Sequence, residues 1–362
     1  MMKKGCKMSG EIKRKERIIE LDYIRTFAIL CVLLTHTMER VYTLNAMTLA
    51  QESVYSRILS VFMFTVGRLG VPLFLFLTGF LMSVVDYEYE RMIMFEKRNV
   101  LGLVITTEIW IVIYNCFNAW YYQTPANGKI MIENMLFFRP TEMSHMWYMP
   151  VIIGIYLFIP FIINGLNHTD VRSLFIPLSV AFLALFVIPV VDVFLLANGK
   201  SAISSLLDFS FSGGAYGFCI ILGCLIRKGV FARIKTIALI LIGAGSFCFT
   251  VFMQIYSDMH GVDYNVWYNA ATLILADLSI FLLISRMKFT SGKIAANISI
   301  CAFGIYLVYN PVNMILLRYF EPASRVVRLG VGVLVTFLIS WGIVFVGSKI
   351  KGVAKILFFI KS

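Results

Sequence analysis

Residues 22–36 read DYIRTFAILCVLLTH, an apolar run that opens on an acid and carries Arg25 and His36. With its flanks the run is long enough to cross a membrane as a helix, and ionisable groups inside such a helix normally face a protein interior or a water-filled cavity. Asp22, Arg25 and His36 follow the three- and four-residue steps that define one helix face. We therefore predict that Arg25 and His36 project into one cavity, about 16 Å apart along the helix axis.

The composition indicates a membrane protein with several spans. Of the 362 residues, 59% are hydrophobic and 14% are charged, whereas a soluble domain has about 45–50% apolar and about 25% charged residues. The formal net charge of +12 fits basic cytoplasmic loops and anionic lipid, and we expect no nucleic-acid partner. Histidines, cysteines and acids show no metal-type spacing, so we predict no metal site, no bound cofactor and no disulfide framework.

Apolar runs of about 20 residues predict an all-α membrane protein, a polytopic bundle of about ten transmembrane helices. Most Lys and Arg residues fall in loops on the same side as the N-terminus, which predicts that both termini are cytoplasmic. We divide the chain into a basic cytoplasmic N-terminal segment (1–17), a transmembrane domain (18–348) and a basic amphipathic cytoplasmic tail (349–362) that suits a helix on the membrane surface. The predicted spans are Leu21–Tyr42, Ile58–Val85, Val100–Trp120, Met146–Asn164, Leu174–Leu196, Phe209–Ile226, Ile234–Tyr256, Val266–Ser285, Ile294–Leu317 and Val326–Val346.

The second predicted span carries an arginine, three glycines and a proline. The glycines permit close contact between helices, and Pro72 predicts a break in the helix at mid-span. Arg68 lies before that break, where its side chain cannot easily reach the membrane surface. Two interpretations stay open: Arg68 binds a phosphate or carboxylate of a substrate, or it pairs with Glu108, the acid of the third span.

Four motifs in order resemble the acyltransferase 3 family over roughly residues 17–345. RIIELDYIRTFAILCVLLTHT (17–37) contains that family's Arg, ten residues and His, met by Arg25 and His36. GRLGVPLFLFLTGFLM (67–82), HMWYMPVIIGIYLFIPFI (145–162) and FGIYLVYNPV (303–312) resemble its later motifs. The family's late span usually reads Tyr-Leu-Ile-His, whereas here Tyr309 and Asn310 follow Leu307-Val308, which removes a histidine or passes its role to the Tyr309 hydroxyl.

The resemblance implies an O-acyltransferase that moves an acyl group, most simply acetyl, from cytoplasmic acyl-CoA to a hydroxyl of a cell-envelope carbohydrate. His36 is then the general base, Arg25 binds an anionic part of the donor or steadies charge on the thioester oxygen, and Asp22 orients Arg25. Direct transfer and an acyl-histidine relay both stay open. The predicted donor and substrate contacts are Arg68, Arg98, Glu108, Trp147, Tyr148 and Tyr309, with Arg227 and Lys228 as further basic residues for the phosphates of the donor.

The same resemblance implies a multi-pass protein of the bacterial plasma or inner membrane. Its expected partners are membrane lipid, acetyl-CoA as a donor substrate, and a glycan or lipid-linked saccharide as acceptor. His145, beside Trp147 and Tyr148, belongs either to an aromatic belt at the outer interface or to the acceptor site. Asp277 lies within an apolar run, which predicts that it is paired or functional.

Two other functions compete with the enzyme. A transporter or flippase for a lipid-linked or acylated sugar would also place charges along a membrane pathway, but it is expected to carry paired broken helices in two related halves. This sequence has one broken span and no matching half. A purely structural or sensory membrane partner would leave Arg25 and His36 without a purpose.

Overall fold

The computed structural model describes residues 17–42, 52–141, 143–205 and 207–360, and their regular structure is helical, without strands. The predicted N-terminal segment, apart from its last residue, lies outside the described residues. A short helix, Gly128–Met135, lies in the loop between the third and fourth long helices. The helices that build the bundle are α1 (Ile19–Val41), α2 (Val54–Met82), α3 (Tyr89–Tyr122), α4 (Ser144–Asn167), α5 (Val171–Ala197), α6 (Gly214–Arg227), α7 (Thr236–Met259), α8 (Ala271–Arg286), α9 (Lys293–Tyr319), α10 (Arg325–Gly347) and α11 (Lys351–Leu357).

The all-α membrane class is confirmed. Among the described residues, eight helices are long and apolar enough to cross a membrane, namely α1–α5, α7, α9 and α10. The other two predicted spans correspond to α6 and α8, which have 14 and 16 residues. About 20 residues are needed to cross the hydrocarbon core without distortion. The count of ten crossings and the cytoplasmic side of the termini therefore stay predictions.

Helix α1 lies at the centre of the bundle and packs against α2, α8, α9 and α10. Glycines allow the backbones of α1 and α2 to approach closely. A Cβ atom on Gly67 would lie 2.7 Å from the backbone nitrogen of Thr35, and one on Gly70 would lie 2.7 Å from the carbonyl oxygen of Ala28. These separations are far below van der Waals contact, so only glycine fits, as the sequence predicts.

The break in α2 falls at Leu69 and not at Pro72. One helical segment ends at Arg68 and the next begins at Gly70. Pro72 therefore lies in the first turn of the second segment, where the backbone N–H groups have no partner within their helix and a missing N–H costs little. The prediction of a break is confirmed, but its position was wrong, because the proline follows the break.

Helices α1 and α9 run parallel and define the two ends of the molecule. Arg17 donates to the carbonyl oxygen of Ala296 at 2.9 Å, at the end that we call proximal. At the opposite, distal end, Arg40 donates to Asn313 Oδ1 at 2.8 Å. Antiparallel α2 fits the same frame, because it begins just after the distal end of α1.

The tail turns into the bundle instead of leaving it. Helix α11 packs against α3, where Thr106 and Trp110 donate to the carbonyl oxygens of Ile356 and Leu357 at 2.9 and 2.7 Å. Phe358 is buried directly after the helix. The carbonyls at the end of α11 thus have partners inside the bundle, although its lysines are exposed.

Candidate functional site

Two adjoining cavities run along α1. The first, here the chamber, has a volume of about 300 Å³ and is lined by both Arg25 and His36. The second, here the vestibule, has a volume of about 280 Å³ and is lined by Arg17, Asp22, Arg25 and Arg227. The predicted sharing of one cavity by Arg25 and His36 is confirmed. Because Arg25 lines both spaces, it stands where the vestibule meets the chamber.

The His36 ring has one occupied nitrogen and one that is available. Nδ1 lies 2.9 Å from the carbonyl oxygen of Val32 and 2.9 Å from the hydroxyl oxygen of Tyr309. A carbonyl oxygen can only accept, so this geometry assigns the Nδ1 proton to the neutral ring and leaves a lone pair on Nε2. Nε2 makes no hydrogen bond with any residue in the described part of the chain, while the ring lines the chamber. A basic nitrogen thus faces a cavity that can hold a substrate.

Arg25 is fixed by a hydroxyl more closely than by an acid. Its Nη1 donates to Ser299 Oγ at 2.6 Å, whereas it lies 4.0 Å from Asp22 Oδ1. Asp22 instead accepts two hydrogen bonds from Arg17, at 2.5 and 2.9 Å. The predicted i,i+3 ion pair of Asp22 with Arg25 is thus present at 4.0 Å, but Asp22 binds Arg17 more closely, because that guanidinium reaches both carboxylate oxygens in a fork. Ser299 of α9 positions Arg25.

His145 belongs to the interior of the site, which sequence reasoning did not establish. The residue is buried, and its ring lies edge-on to His36 at 6.1 Å between centroids. Tyr114 donates its hydroxyl proton to the Leu307 carbonyl oxygen, so its oxygen accepts from His145 Nε2 at 3.1 Å. The amide of Asn310 then donates to Nδ1 at 2.5 Å.

Both nitrogens of His145 are therefore occupied, unlike those of His36. His145 is buried and lines the chamber, so it does not belong to an aromatic belt at the outer interface, and the acceptor contact stays a prediction. Polar Tyr114 and Asn310 inside apolar spans were the available signal, because each needs a partner when buried.

Tyr309 supports His36 from behind and does not line the chamber. It is fully buried, and its hydroxyl lies against Nδ1 of His36. Its neighbour Asn310 joins His145 to Arg40, whose guanidinium also donates to Asn313. The predicted substrate contact at Tyr309 is thus corrected to a contact with the histidine itself, because residue 309 faces α1 and not the cavity.

Arg68 is committed to protein partners. Its Nη2 lies 3.2 Å from Glu39 Oε1, and its Nη1 donates to the Tyr268 hydroxyl at 3.2 Å. The guanidinium also lies over the ring of Trp267 at 4.6 Å. The pairing with Glu108 is therefore wrong, because the acid of Arg68 is Glu39 at the end of α1. The reason is the packing of α2 against α1. Arg68 lines neither the chamber nor the vestibule, and its substrate contact stays a prediction.

The remaining predicted contacts separate into two groups. Trp147 and Tyr148 line the chamber, and Arg227 lines the vestibule. Arg98 is exposed and Glu108 is half-buried, and neither lines the chamber or the vestibule. Their predicted donor contacts are not supported by these positions, because α3 borders the chamber with other side chains.

Two further polar residues bear on the prediction. Lys228 donates to the carbonyl oxygen of Leu166 at the proximal end, and so ties α6 to α4. Asp277 is completely buried in α8, and within the described ranges neither of its oxygens has a hydrogen-bond partner. The pairing considered for Asp277 is therefore absent from the part of the chain that the structure describes.

A helical bundle with this central chamber defines an integral-membrane protein that holds a histidine with a free basic nitrogen and an arginine in one enclosed space. A family model described as an acyltransferase domain matches residues 18–345. The chain belongs to the acyltransferase 3 family and is a membrane acyltransferase. Searches of curated proteins and of solved structures find no match.

Proposed function

We propose that the protein transfers an acetyl group from acetyl-CoA, which enters at the proximal end, to a hydroxyl of a cell-envelope carbohydrate. The observation that carries the proposal is the free Nε2 of His36 in a chamber that also contains Arg25. A hydroxyl acceptor needs a base within hydrogen-bond reach, and a neutral imidazole supplies one near neutral pH.

The vestibule suits the anionic part of the donor. Arg17, Arg25 and Arg227 line it, and guanidinium groups bind phosphates through two parallel hydrogen bonds. Arg25 lies about 16 Å from His36 along the helix axis, which is too far for one side chain to contact the carbonyl group that reacts at His36. Arg25 therefore binds the donor near its pantetheine arm, and the arm spans the chamber and carries the thioester to His36.

In this mechanism His36 Nε2 removes the proton of the acceptor hydroxyl while the oxygen attacks the thioester carbonyl carbon. The new carbon–oxygen bond forms and the carbon–sulfur bond breaks. The CoA thiolate leaves and takes the proton from the imidazolium, so the products are an O-acetyl ester and free CoA thiol. Val32 and Tyr309 keep the ring in one orientation throughout, because they hold Nδ1.

The test compares His36→Ala with a matched histidine outside the site. His168 follows α4, is exposed, and lines neither cavity. Purified protein in lipid nanodiscs receives radiolabelled acetyl-CoA and envelope oligosaccharides, and mass spectrometry follows the same glycans in cells. His36→Ala is expected to lower transfer by about 10²–10⁴-fold, while His168→Ala retains the wild-type rate.

Equal transfer by His36→Ala and wild-type protein at equal abundance would reject the base. Unchanged envelope glycans in cells that lack the protein, together with acetyl transfer to another hydroxyl compound in the purified assay, would reject the carbohydrate acceptor but keep the acyl transfer.

A further inference from the structure

A third, larger cavity lies beside the chamber at the distal end. This groove has a volume of about 690 Å³ and is formed by α5, the start of α6, residues 202, 204, 205 and 207, and part of the segment 264–269. Tyr268 lines both the groove and the chamber. The groove is thus on the opposite side of the chamber from the vestibule, where the three arginines are.

One half of the groove is an aromatic rim with polar neighbours. Tyr216, Tyr264 and Trp267 line it together with Asn269 and Ser205. Trp267 is 37% exposed, donates to the Tyr216 hydroxyl at 3.3 Å, and is supported by the Arg68 guanidinium 4.6 Å from a ring centroid. A tryptophan fixed in this way while partly exposed offers a flat apolar surface, beside hydrogen-bonding groups, to an amphipathic ring such as a pyranose.

The other half of the groove is apolar and belongs to α5. Leu185, Ile188 and Leu196 line it. Helix α5 is the most apolar of the eight long helices, and only 17% of its most apolar window is buried inside the protein. Such a helix faces lipid, so this half of the groove continues into the bilayer.

A polar residue of α5 holds part of the loop that lines the groove. Asp192 accepts hydrogen bonds from the backbone nitrogens of Ile203 and Ser204, at 2.6 and 3.3 Å. The Asp192 carboxylate is therefore occupied by hydrogen bonds within the protein. The loop and α5 together make a rim where the apolar half meets the polar half.

An aromatic partition separates the groove from the chamber. Trp147 lines the chamber and stacks on Tyr268 with ring centroids 5.7 Å apart and planes at 23°. Tyr268 is buried, and Arg68 donates to its hydroxyl. A ligand in the groove is thus one aromatic layer from the space that contains His36.

We propose that the groove binds the acceptor as an amphiphile, a saccharide carried on a lipid anchor. The saccharide docks on Trp267, Tyr216 and Tyr264 while the anchor follows α5 into the bilayer, and the hydroxyl that reacts then passes the Trp147–Tyr268 layer to reach His36. A free glycan would use only the aromatic half, and a lipid without a sugar only the apolar half. This inference rests on the proposed acyl transfer and adds the chemical class of its acceptor.

The experiment measures acetyl transfer by the full chain in nanodiscs to two matched acceptors. One is a polyprenyl-linked envelope oligosaccharide, and the other is the same oligosaccharide after release by mild acid. The KM for the lipid-linked form is expected to be at least tenfold lower. Trp267→Ala is expected to raise the KM for both acceptors about tenfold, as truncation of a central aromatic contact does. Trp267→Phe, which keeps a stacking face, recovers most of that loss.

One more variant tests the apolar half of the groove, and another serves as a control. Ile188→Asn adds a polar group to the apolar half and is expected to raise the KM for the lipid-linked acceptor only. Trp120→Ala is the control, because Trp120 is an exposed aromatic residue at the end of α3 that does not line the groove. An equal KM for both acceptors, or a Trp267→Ala variant that behaves like Trp120→Ala, overturns the proposal.

If the wild-type protein transfers acetyl to no glycan, the proposed function is rejected. A binding measurement then decides separately whether the groove binds the lipid-linked saccharide. Tryptophan fluorescence is then titrated with the polyprenyl-linked oligosaccharide in the absence of acetyl-CoA. A saturable change in the wild type that is lost in Trp267→Phe supports the groove as a binding site. The absence of a change in the wild type overturns it.

Discussion

Apolar residues are distributed in the opposite way to those of a soluble protein, as a comparison of the central helices α1 and α9 with the peripheral helix α5 shows. Helices α1 and α9 are the least apolar of the eight long helices, and 67% of the most apolar window of each is buried inside the protein. Helix α5 is the most apolar, and 17% of its window is buried. Lipid accepts only apolar side chains at low cost, so polar groups collect where helices cover one another. In this molecule polarity marks the interior and therefore the site.

The largest expected difference between the centre and the periphery is the cost in stability of adding one methyl group, as in a glycine-to-alanine substitution. A Cβ atom on Gly79 of α2 would lie 1.9 Å from the Ile220 carbonyl oxygen, whereas one on Gly245 of peripheral α7 meets no atom within 4 Å. Gly79→Ala should lower the free energy of unfolding by about 3 kcal/mol, because two backbones must separate. Gly245→Ala should leave it unchanged or raise it by up to about 1 kcal/mol, because alanine favours helix.

Thermal unfolding of both variants in detergent, followed by size-exclusion chromatography, measures this difference. Equal melting temperatures for Gly79→Ala and Gly245→Ala would contradict the predicted difference in packing between the centre and the periphery.

The second prediction concerns tyrosine hydroxyls in the two regions. The Tyr309 hydroxyl lies 2.9 Å from His36 Nδ1, and the Tyr256 hydroxyl of α7 accepts from Asn198 at 3.2 Å. Tyr309→Phe should lower kcat about tenfold, or about 1.4 kcal/mol, with little change in the KM for acetyl-CoA, because His36 loses a contact that orients it. Tyr256→Phe should leave kcat unchanged.

Steady-state kinetics with the two phenylalanine variants supply the measurement. A Tyr309→Phe enzyme with normal kcat would remove Tyr309 from the positioning of His36, while a loss confined to KM would assign it to substrate binding.

The smallest effect is expected from the ion pair between Glu52, which lies outside the membrane-spanning helices, and Arg325 at the start of α10. The pKa of Glu52 is lowered, mainly by the hydrogen bond from Arg325 and also by one from Ser56. A lowered pKa contributes stability above the ordinary pKa of glutamate, and this stability is lost as the pH falls through the lowered value. Because the pair is partly exposed, Glu52→Gln should cost less than about 1 kcal/mol at pH 7 and nothing at acid pH.

Melting temperatures of Glu52→Gln and wild type, measured from neutral to acid pH, test whether the difference between the two proteins disappears at acid pH. Glu321→Gln is the control, because Glu321 is exposed and forms no ion pair within the described ranges. A constant difference across the pH range would contradict the linkage between this pair and stability.

Much of the fold could be read from local pattern. The ten apolar runs coincide with ten helices, and the stepping of Asp22, Arg25 and His36 correctly identified the inward face of α1. Both depend on the period and length of single helices, which neighbouring residues fix. The partners of polar groups could not be read in this way, because they lie on other helices. The choice of Glu108 for Arg68 failed for that reason, and the contact of Arg25 with Ser299 was not predicted.

The sequence by itself determined the membrane class, the helical segments, the family and the pair Arg25 and His36, since hydropathy, period and motif order are properties of the chain. Only the tertiary structure decided which nitrogen of His36 is free, that His145 has both nitrogens occupied, and that Arg68 supports an aromatic partition. These facts depend on the register of one helix against another. That register follows from close contacts such as Gly67 against Thr35, in which residues far apart in the sequence meet.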